Sequence, residues 1–298
     1  MKGDITMSRV EHVAAVNNKA GEGPIWSSQE QALYWIDIYN PCVYRFYPAT
    51  GKLESLDVAL PITALALRAS GGMAAATRNG FAFWDPRTLE FDFIANPQAD
   101  KPYIRFNDGA VDPCGRFWAG TMNEEDPEAS DGCLYRLDPD GSIHRMATGF
   151  TVANGIGWSP DNRTMYFTDS LRRMILAYDY DSAAGAISNR RPFVHVPEEE
   201  GFPDGLTVDS EGFVWSAHWG VYKVRRYDPT GKVEREIMLP VQNVTSCAFG
   251  GENLDELYIT SAWQSLSEEE RKKQQPFAGD LFRVKVEVKG REEPGFAG

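Results

Sequence analysis

The sequence predicts an all-β protein, a six-bladed β-propeller of four-stranded antiparallel blades, and three observations carry that prediction. A polar residue followed by a small one opens a strand-like run six times, at Glu22-Gly23, Thr63-Ala64, Asp108-Gly109, Asn154-Gly155, Asp204-Gly205 and Thr245-Ser246. The pairs are spaced by 41, 45, 46, 50 and 41 residues, a period that marks a radial array of small sheets. Behind each pair come aromatic and β-branched runs separated by Gly, Pro, Asn and Asp.

The innermost strand of a unit follows its pair directly, as in Ala64-Leu65-Ala66-Leu67 and Gly205-Leu206-Thr207-Val208. Tight turns come next, at Ser70-Gly71-Gly72, Pro113-Cys114-Gly115, Ser159-Pro160-Asp161-Asn162 and Ser210-Glu211-Gly212, where special backbone angles are needed. The second strand is the most aromatic, for example Leu33-Tyr34-Trp35-Ile36 and Phe213-Val214-Trp215-Ser216. A third strand ends at turns such as Tyr227-Asp228-Pro229, and a polar outer strand such as Val233 to Ile237 completes the unit. The sixth unit, Thr245 to about Val288, lacks an outer strand of its own, so the N-terminal segment Arg9 to Val16 is expected to join the last blade and close the ring.

One domain over residues 1–298 is expected, with loose tails at 1–8 and 290–298. A repeat array places a thin core between neighbouring sheets, so 298 residues need no second domain. The net charge of −13 argues against a nucleic-acid surface, and no stretch approaches a membrane-spanning length. The start, Met1-Lys2-Gly3-Asp4, is not followed by the apolar run of a secretory signal. Cys42, Cys114, Cys133 and Cys247 are scattered, which fits free buried thiols in a cytoplasmic protein better than a disulfide framework.

The chain contains no G-x-S-x-G elbow, H-E-x-x-H, phosphate loop or dinucleotide glycine fingerprint. Propeller geometry offers something else, because equivalent inner-strand positions meet at the axis despite their distance in sequence. Glu22, Asn154 and Asp204 would bring two carboxylates and one amide oxygen together there, a donor set suited to a hard divalent cation. Asx-Gly pairs are above all turn formers; their repetition at one structural position is what favours ligands. Two loops on the same face, Asn123 to Gly132 and Ala262 to Gly279, are expected to wall the site. The second carries Ser267-Glu268-Glu269-Glu270, a helix capping pattern.

The run Arg105-Phe106-Asn107-Asp108-Gly109-Ala110-Val111-Asp112-Pro113, with Ala119-Gly120-Thr121-Met122, resembles the senescence-marker-protein/gluconolactonase (regucalcin-like) family of sugar lactonases. Gly21-Glu22-Gly23-Pro24, Asn154-Gly155, Ile187-Ser188-Asn189-Arg190-Arg191, Pro203-Asp204-Gly205 and Thr245-Ser246-Cys247 extend the resemblance over nearly the whole chain. It implies a propeller that hydrolyses a sugar lactone, such as glucono-, xylono- or arabinonolactone, to the sugar acid with one divalent metal. By the same resemblance Glu22, Asn154 and Asp204 hold the metal, and Asp204 is also the general base; a metal-bound water with a depressed pKa, merely oriented by Asp204, is the alternative. Arg105 and Asn107 contact the substrate, as does a glutamate after Ala119-Gly120-Thr121-Met122, taken as Glu125 with Glu124 beside it. Gly279-Asp280 stands where many relatives have a glycine pair, so the rim there departs from the pattern.

Oxygen ligands favour Ca²⁺, Mg²⁺ or Mn²⁺, with Zn²⁺ and Fe²⁺ also compatible. Two other readings use the same scaffold. One is a metal-dependent phosphotriesterase or aryl-lactonase, which calls for a histidine base that only His218 could supply. The other is a non-catalytic calcium-binding propeller, for which Arg105 and Asn107 beside the metal ligands would have no use.

Overall fold

The structure is a computed structural model that describes residues 9–298, so the expected loose segment 1–8 lies outside the described residues. It opens with β1 (Glu11–Ala14), which belongs to the last sheet. The first four-stranded sheet is β2 (Gly21–Ser27), β3 (Ala32–Asp37), β4 (Cys42–Tyr47) and β5 (Lys52–Asp57). The second is β6 (Ile62–Leu67), β7 (Met73–Thr77), β8 (Gly80–Trp84) and β9 (Phe91–Ala95). The third is β10 (Ile104–Val111), β11 (Phe117–Asn123), β12 (Gly132–Leu137) and β13 (Ile143–Phe150). The fourth is β14 (Ala153–Trp158), β15 (Thr164–Asp169), β16 (Met174–Asp181) and β17 (Ala186–His195).

An eight-stranded sheet holds the rest. One half is β18 (Phe202–Val208), β19 (Val214–Trp219), β20 (Lys223–Tyr227) and β21 (Val233–Met238). The other half is β22 (Asn243–Gly250), β23 (Glu256–Ala262), β24 (Leu281–Lys285) and β1. A single pairing, Trp219 with Asn243, joins the halves. β1 runs antiparallel to β24, with Glu11 opposite Arg283 and His12 opposite Phe282. Among the described residues helix is nearly absent: α1 (Glu268–Lys273) begins with the expected capping box at Ser267 and Glu270, and no helix there is long and apolar enough to cross a membrane.

The arrangement is all-β and propeller-like. First strands touch in order, β2 with β6, β6 with β10, β10 with β14, β14 with β18, β18 with β22, and β22 with β2. Six apolar clusters fill the gaps, each spanning two neighbouring sheets. Val43 packs with Leu65 in one, and Trp26 with Leu281 in another. Second strands such as β3 and β11 are therefore covered on both faces and buried along their whole length, whereas the outer β5, β9 and β17 are largely exposed. That gradient explains why aromatic residues crowd the second strand and charges the fourth.

The turns after the first strands are held by buried aspartates. Asp112 accepts the indole N–H of Trp118 at 2.9 Å and the backbone N–H groups of Cys114 and Arg116. Asp209 repeats the device with Trp215, Glu211 and Phe213. Gly115 and Gly212 take the left-handed conformation these turns require, with φ of 80° and 85°.

The C-terminal stretch 290–298 is not loose, which corrects the reading of its Gly, Pro and charged residues as a tail. Gly290 N–H donates to Leu254 O and Arg291 Nη1 to Trp158 O. Phe296 pairs its backbone with Leu67 and Ala69 and buries its ring completely between the second and third sheets. One anchored aromatic outweighs the polar composition around it. Residues Arg291 to Pro294 thereby line the far end of the cavity between the first strands. All four cysteines are free thiols; Cys114 is exposed, against expectation, because it sits at the tip of a turn.

Candidate active site and oxygen-donor cluster

Every first strand breaks register at or next to its polar-small pair. The irregularities fall between Glu22 and Ile25, Ile62 and Ala64, Phe106 and Asp108, Asn154 and Ile156, Pro203 and Leu206, and Val244 and Ser246. A bulge adds an unpaired residue and bends the strand; the residue left out is Thr63 in β6, Asn107 in β10, Gly155 in β14 and Thr245 in β22. The small partner is needed because the strands crowd. A Cβ on Gly155 would lie 2.5 Å from Leu206 N, and one on Gly205 would lie 2.1 Å from Ser246 Oγ.

The geometry brings Glu22, Asp108, Asn154 and Asp204 together. Asp108, Asn154 and Asp204 are buried, and Glu22 retains some exposure while its carboxyl is enclosed by protein atoms. Burial pushes the Glu22 carboxyl well above the usual range, with the charges of Asp204 and Asp108 adding to it; the Gly23 N–H and Arg105 oppose. Asp204 is likewise raised, first by burial and then by Asp108, against the pull of the Gly205 N–H and the adjacent Asn154 amide. Asp108 is pushed up to about 6 by burial, opposed by the Gly109 N–H at 2.7 Å.

Two oxygens in this cluster have no partner. Asn154 Nδ2 donates to Ser170 Oγ at 3.0 Å, which leaves Asn154 Oδ1 buried and unbonded; Asp204 Oδ1 is in the same state. Buried acceptors of this kind are costly unless something supplies positive charge or a proton. Among the described residues no three His, Cys, Asp or Glu side chains converge as a metal cluster. A cation here would need the Asn154 carbonyl beside the Glu22 and Asp204 carboxylates, and the two orphaned oxygens fit that demand.

Arg105 and Asn107 form the wall beside the cluster. Arg105 Nη1 donates to Asn107 Oδ1 at 2.8 Å and to Phe106 O at 2.9 Å, and Asn107 Nδ2 reaches Ala153 O across the gap to β14. Arg105 Nε donates to Glu124 Oε1 at 3.2 Å, and Arg78 holds the other oxygen of Glu124 in an ion pair. Glu124, not Glu125, is thus the glutamate brought to the site. Glu124 N–H still bonds Tyr103 O, but Asn123 Oδ1 then accepts the N–H groups of Glu125 and Asp126 and turns the chain outward, leaving Glu125 exposed.

His218 is packed away. It is fully buried, with Nδ1 2.9 Å from Glu200 O and Nε2 3.0 Å from the Tyr227 hydroxyl, and burial lowers its pKa to about 4. A neutral ring with both nitrogens engaged has no free position for proton transfer. Trp219 packs on the core between the first two sheets, and Trp263 stands at the rim with Nε1 bonded to Asn17 O. Reading residues alone missed Ser170 and Arg78, because neither lies in a repeated pair; Asp108 does, and its place in the series was its signal.

A propeller-like scaffold that gathers carboxylate and amide oxygens from successive sheets is of the class suited to hold a ligand where its inner strands meet. The chain is a member of the SMP-30/Gluconolactonase/LRE-like family, whose pattern matches residues 20–263. It is 40% identical to regucalcin of Xenopus laevis over 97% of this chain and 99% of that protein. It is 36% identical to a Bacillus subtilis protein named putative sugar lactone lactonase YvrE, over 93% and 95% of the two chains. A crystal structure of regucalcin from Agrobacterium tumefaciens, described as a calcium-binding protein, superposes with a TM-score of 0.92 at 27% identity, covering 97% of each chain.

Proposed function

We propose that this chain is a six-bladed β-propeller that hydrolyses a sugar lactone to its sugar acid, using one divalent cation held by Glu22, Asn154 and Asp204. The observation that carries the reading is the pair of orphaned, buried oxygens, Asn154 Oδ1 and Asp204 Oδ1, on neighbouring sheets in a cluster that includes the Glu22 carboxylate. Family membership supports a hydrolase acting on the ester bond of a lactone. The calcium-binding relative supports a hard cation, and Ca²⁺, Mg²⁺, Mn²⁺, Zn²⁺ and Fe²⁺ all accept such donors.

When bound, the cation would supply Lewis-acid polarisation of the lactone carbonyl. Asp204 takes a proton from the attacking water as the water oxygen bonds to the carbonyl carbon, then returns it to the ring oxygen as the C–O bond breaks. Arg105, fixed by Asn107 and Glu124, presents donors to the sugar, and Glu124 accepts from its hydroxyls. Glu125, exposed at the turn, has no such role. The packed state of His218 removes the base that a phosphotriesterase reading required.

Proton release from a panel of five- and six-carbon aldonolactones, before and after chelation with metal added back, tests the proposal. Hydrolysis of at least one lactone should stop on chelation and return with the cation. Rates no faster than buffer across the panel would sink the enzymatic reading.

A further inference from the structure

We infer that Ser170 is a positioning residue for the cation, holding the Asn154 amide with its carbonyl oxygen toward the axis. The inference rests on the reading of Asn154 as a ligand. An amide side chain has two ends of nearly equal shape, and only one can face a cation; which one does is decided by partners. The NH₂ end of Asn154 is held by Ser170 Oγ at 3.0 Å, which leaves Oδ1 buried and without a partner. Ser170 is itself buried and rigid. It follows β15 directly, its N–H donates to Val152 O at 3.0 Å, and its carbonyl accepts the Arg173 N–H at 2.8 Å.

The alternative open to the amide makes the hydroxyl matter. Asp204 lies beside Asn154 with an unbonded buried oxygen of its own. The amide already pulls on the Asp204 carboxyl as a side-chain donor, so without Ser170 Oγ the NH₂ group would keep Asp204 as its one partner and would turn fully to it. That bond would occupy one donor oxygen and point the wrong end of the amide at the axis. A cation would then have to break it before binding, which lowers apparent affinity by the share of molecules in the competent state. Groups that orient ligands from behind in this way typically contribute 10–100-fold in metal affinity.

The test is a titration with Mn²⁺ alone, followed by electron paramagnetic resonance of the free ion, with melting temperature measured in metal-free buffer. Ser170→Ala should weaken Mn²⁺ binding by about 10–100-fold while melting like the wild type without metal. Ser170→Thr, which keeps the hydroxyl, should bind within about threefold of the wild type, a rescue that a general packing role would not produce. Should Ser170→Ala fail to fold, Ser170→Cys keeps the volume with a weak acceptor and carries the same comparison. If the wild type binds Mn²⁺ and Asn154→Ala does not, yet Ser170→Ala binds like the wild type, the role of Ser170 is overturned and the ligand reading survives. If Asn154→Ala binds like the wild type, the ligand reading itself falls.

Discussion

The register breaks beside Asn154 and Asp204 differ from those that carry Thr63 and Thr245 in the fate of the side-chain oxygen. Thr63 Oγ1 donates to Ala76 O at 3.2 Å, and Thr245 Oγ1 donates to Gly21 O at 2.6 Å while meeting Thr260 Oγ1 at 2.8 Å. Those hydroxyls are spent on the neighbouring backbone. Asn154 Oδ1 and Asp204 Oδ1 lie at register breaks of their own strands with nothing bonded to them. Register breaks therefore accompany two outcomes: at Thr63 and Thr245 the side chain bonds the backbone, and at Asn154 and Asp204 an oxygen is left without a partner. The difference is chemical, set by whether the residue brings a hydroxyl that can donate or an oxygen that can only accept.

The largest effect that could break this contrast is on the donor side. Asp204→Ala should lower the lactonase rate by about 10²–10⁴-fold with an unchanged melting temperature; a folded variant within a few-fold of the wild type in a proton-release assay would erase the distinction. At the opposite end of the cavity, Phe296→Ala should cost about 3–5 kcal/mol of stability, read from the urea midpoint, because its ring is fully buried between two sheets. Loss of metal binding in that variant would tie the far end to the site, which the contrast does not allow.

On the threonine side, Thr245→Val should cost about 1–3 kcal/mol by leaving Gly21 O without its donor, with Mn²⁺ affinity kept. A fall in affinity as large as that of Asp204→Ala would place Thr245 among the ligands. The smallest effect concerns pH. His218 has a folded pKa of about 4 against an ordinary value of about 6.5. Its folded state is neutral, so its contribution to stability is full above 6.5 and is lost as pH falls from there towards 4. His218→Gln should flatten that part of the melting-temperature profile; an identical slope in both proteins would remove His218 as its cause.

Much of this was legible in the chain because period and chemistry coincided. Polar-small pairs at steps of 41 to 50 residues marked the six register breaks before any strand was seen, and the aromatic second strands marked the buried layers. The capping pattern at Ser267 announced α1 for the same reason, since a local motif needs no distant partner. What escaped depends on contacts that spacing does not encode. Glu124 and Glu125 are equivalent in sequence, and only the turn built on Asn123 Oδ1 separates them. Ser170 has no repeat to mark it, and the last nine residues read as a tail because one phenylalanine, not a pattern, pins them.

The pairing of β1 with β24 also governs how the molecule comes into being. Arg283 binds Glu11 across 272 positions of sequence, so the strand made first must wait, unpaired, for one made almost last. Contacts of such long range are slow to form and leave an apolar edge open meanwhile. The final sheet is therefore where assembly of the nascent chain is most exposed to capture by another copy of itself.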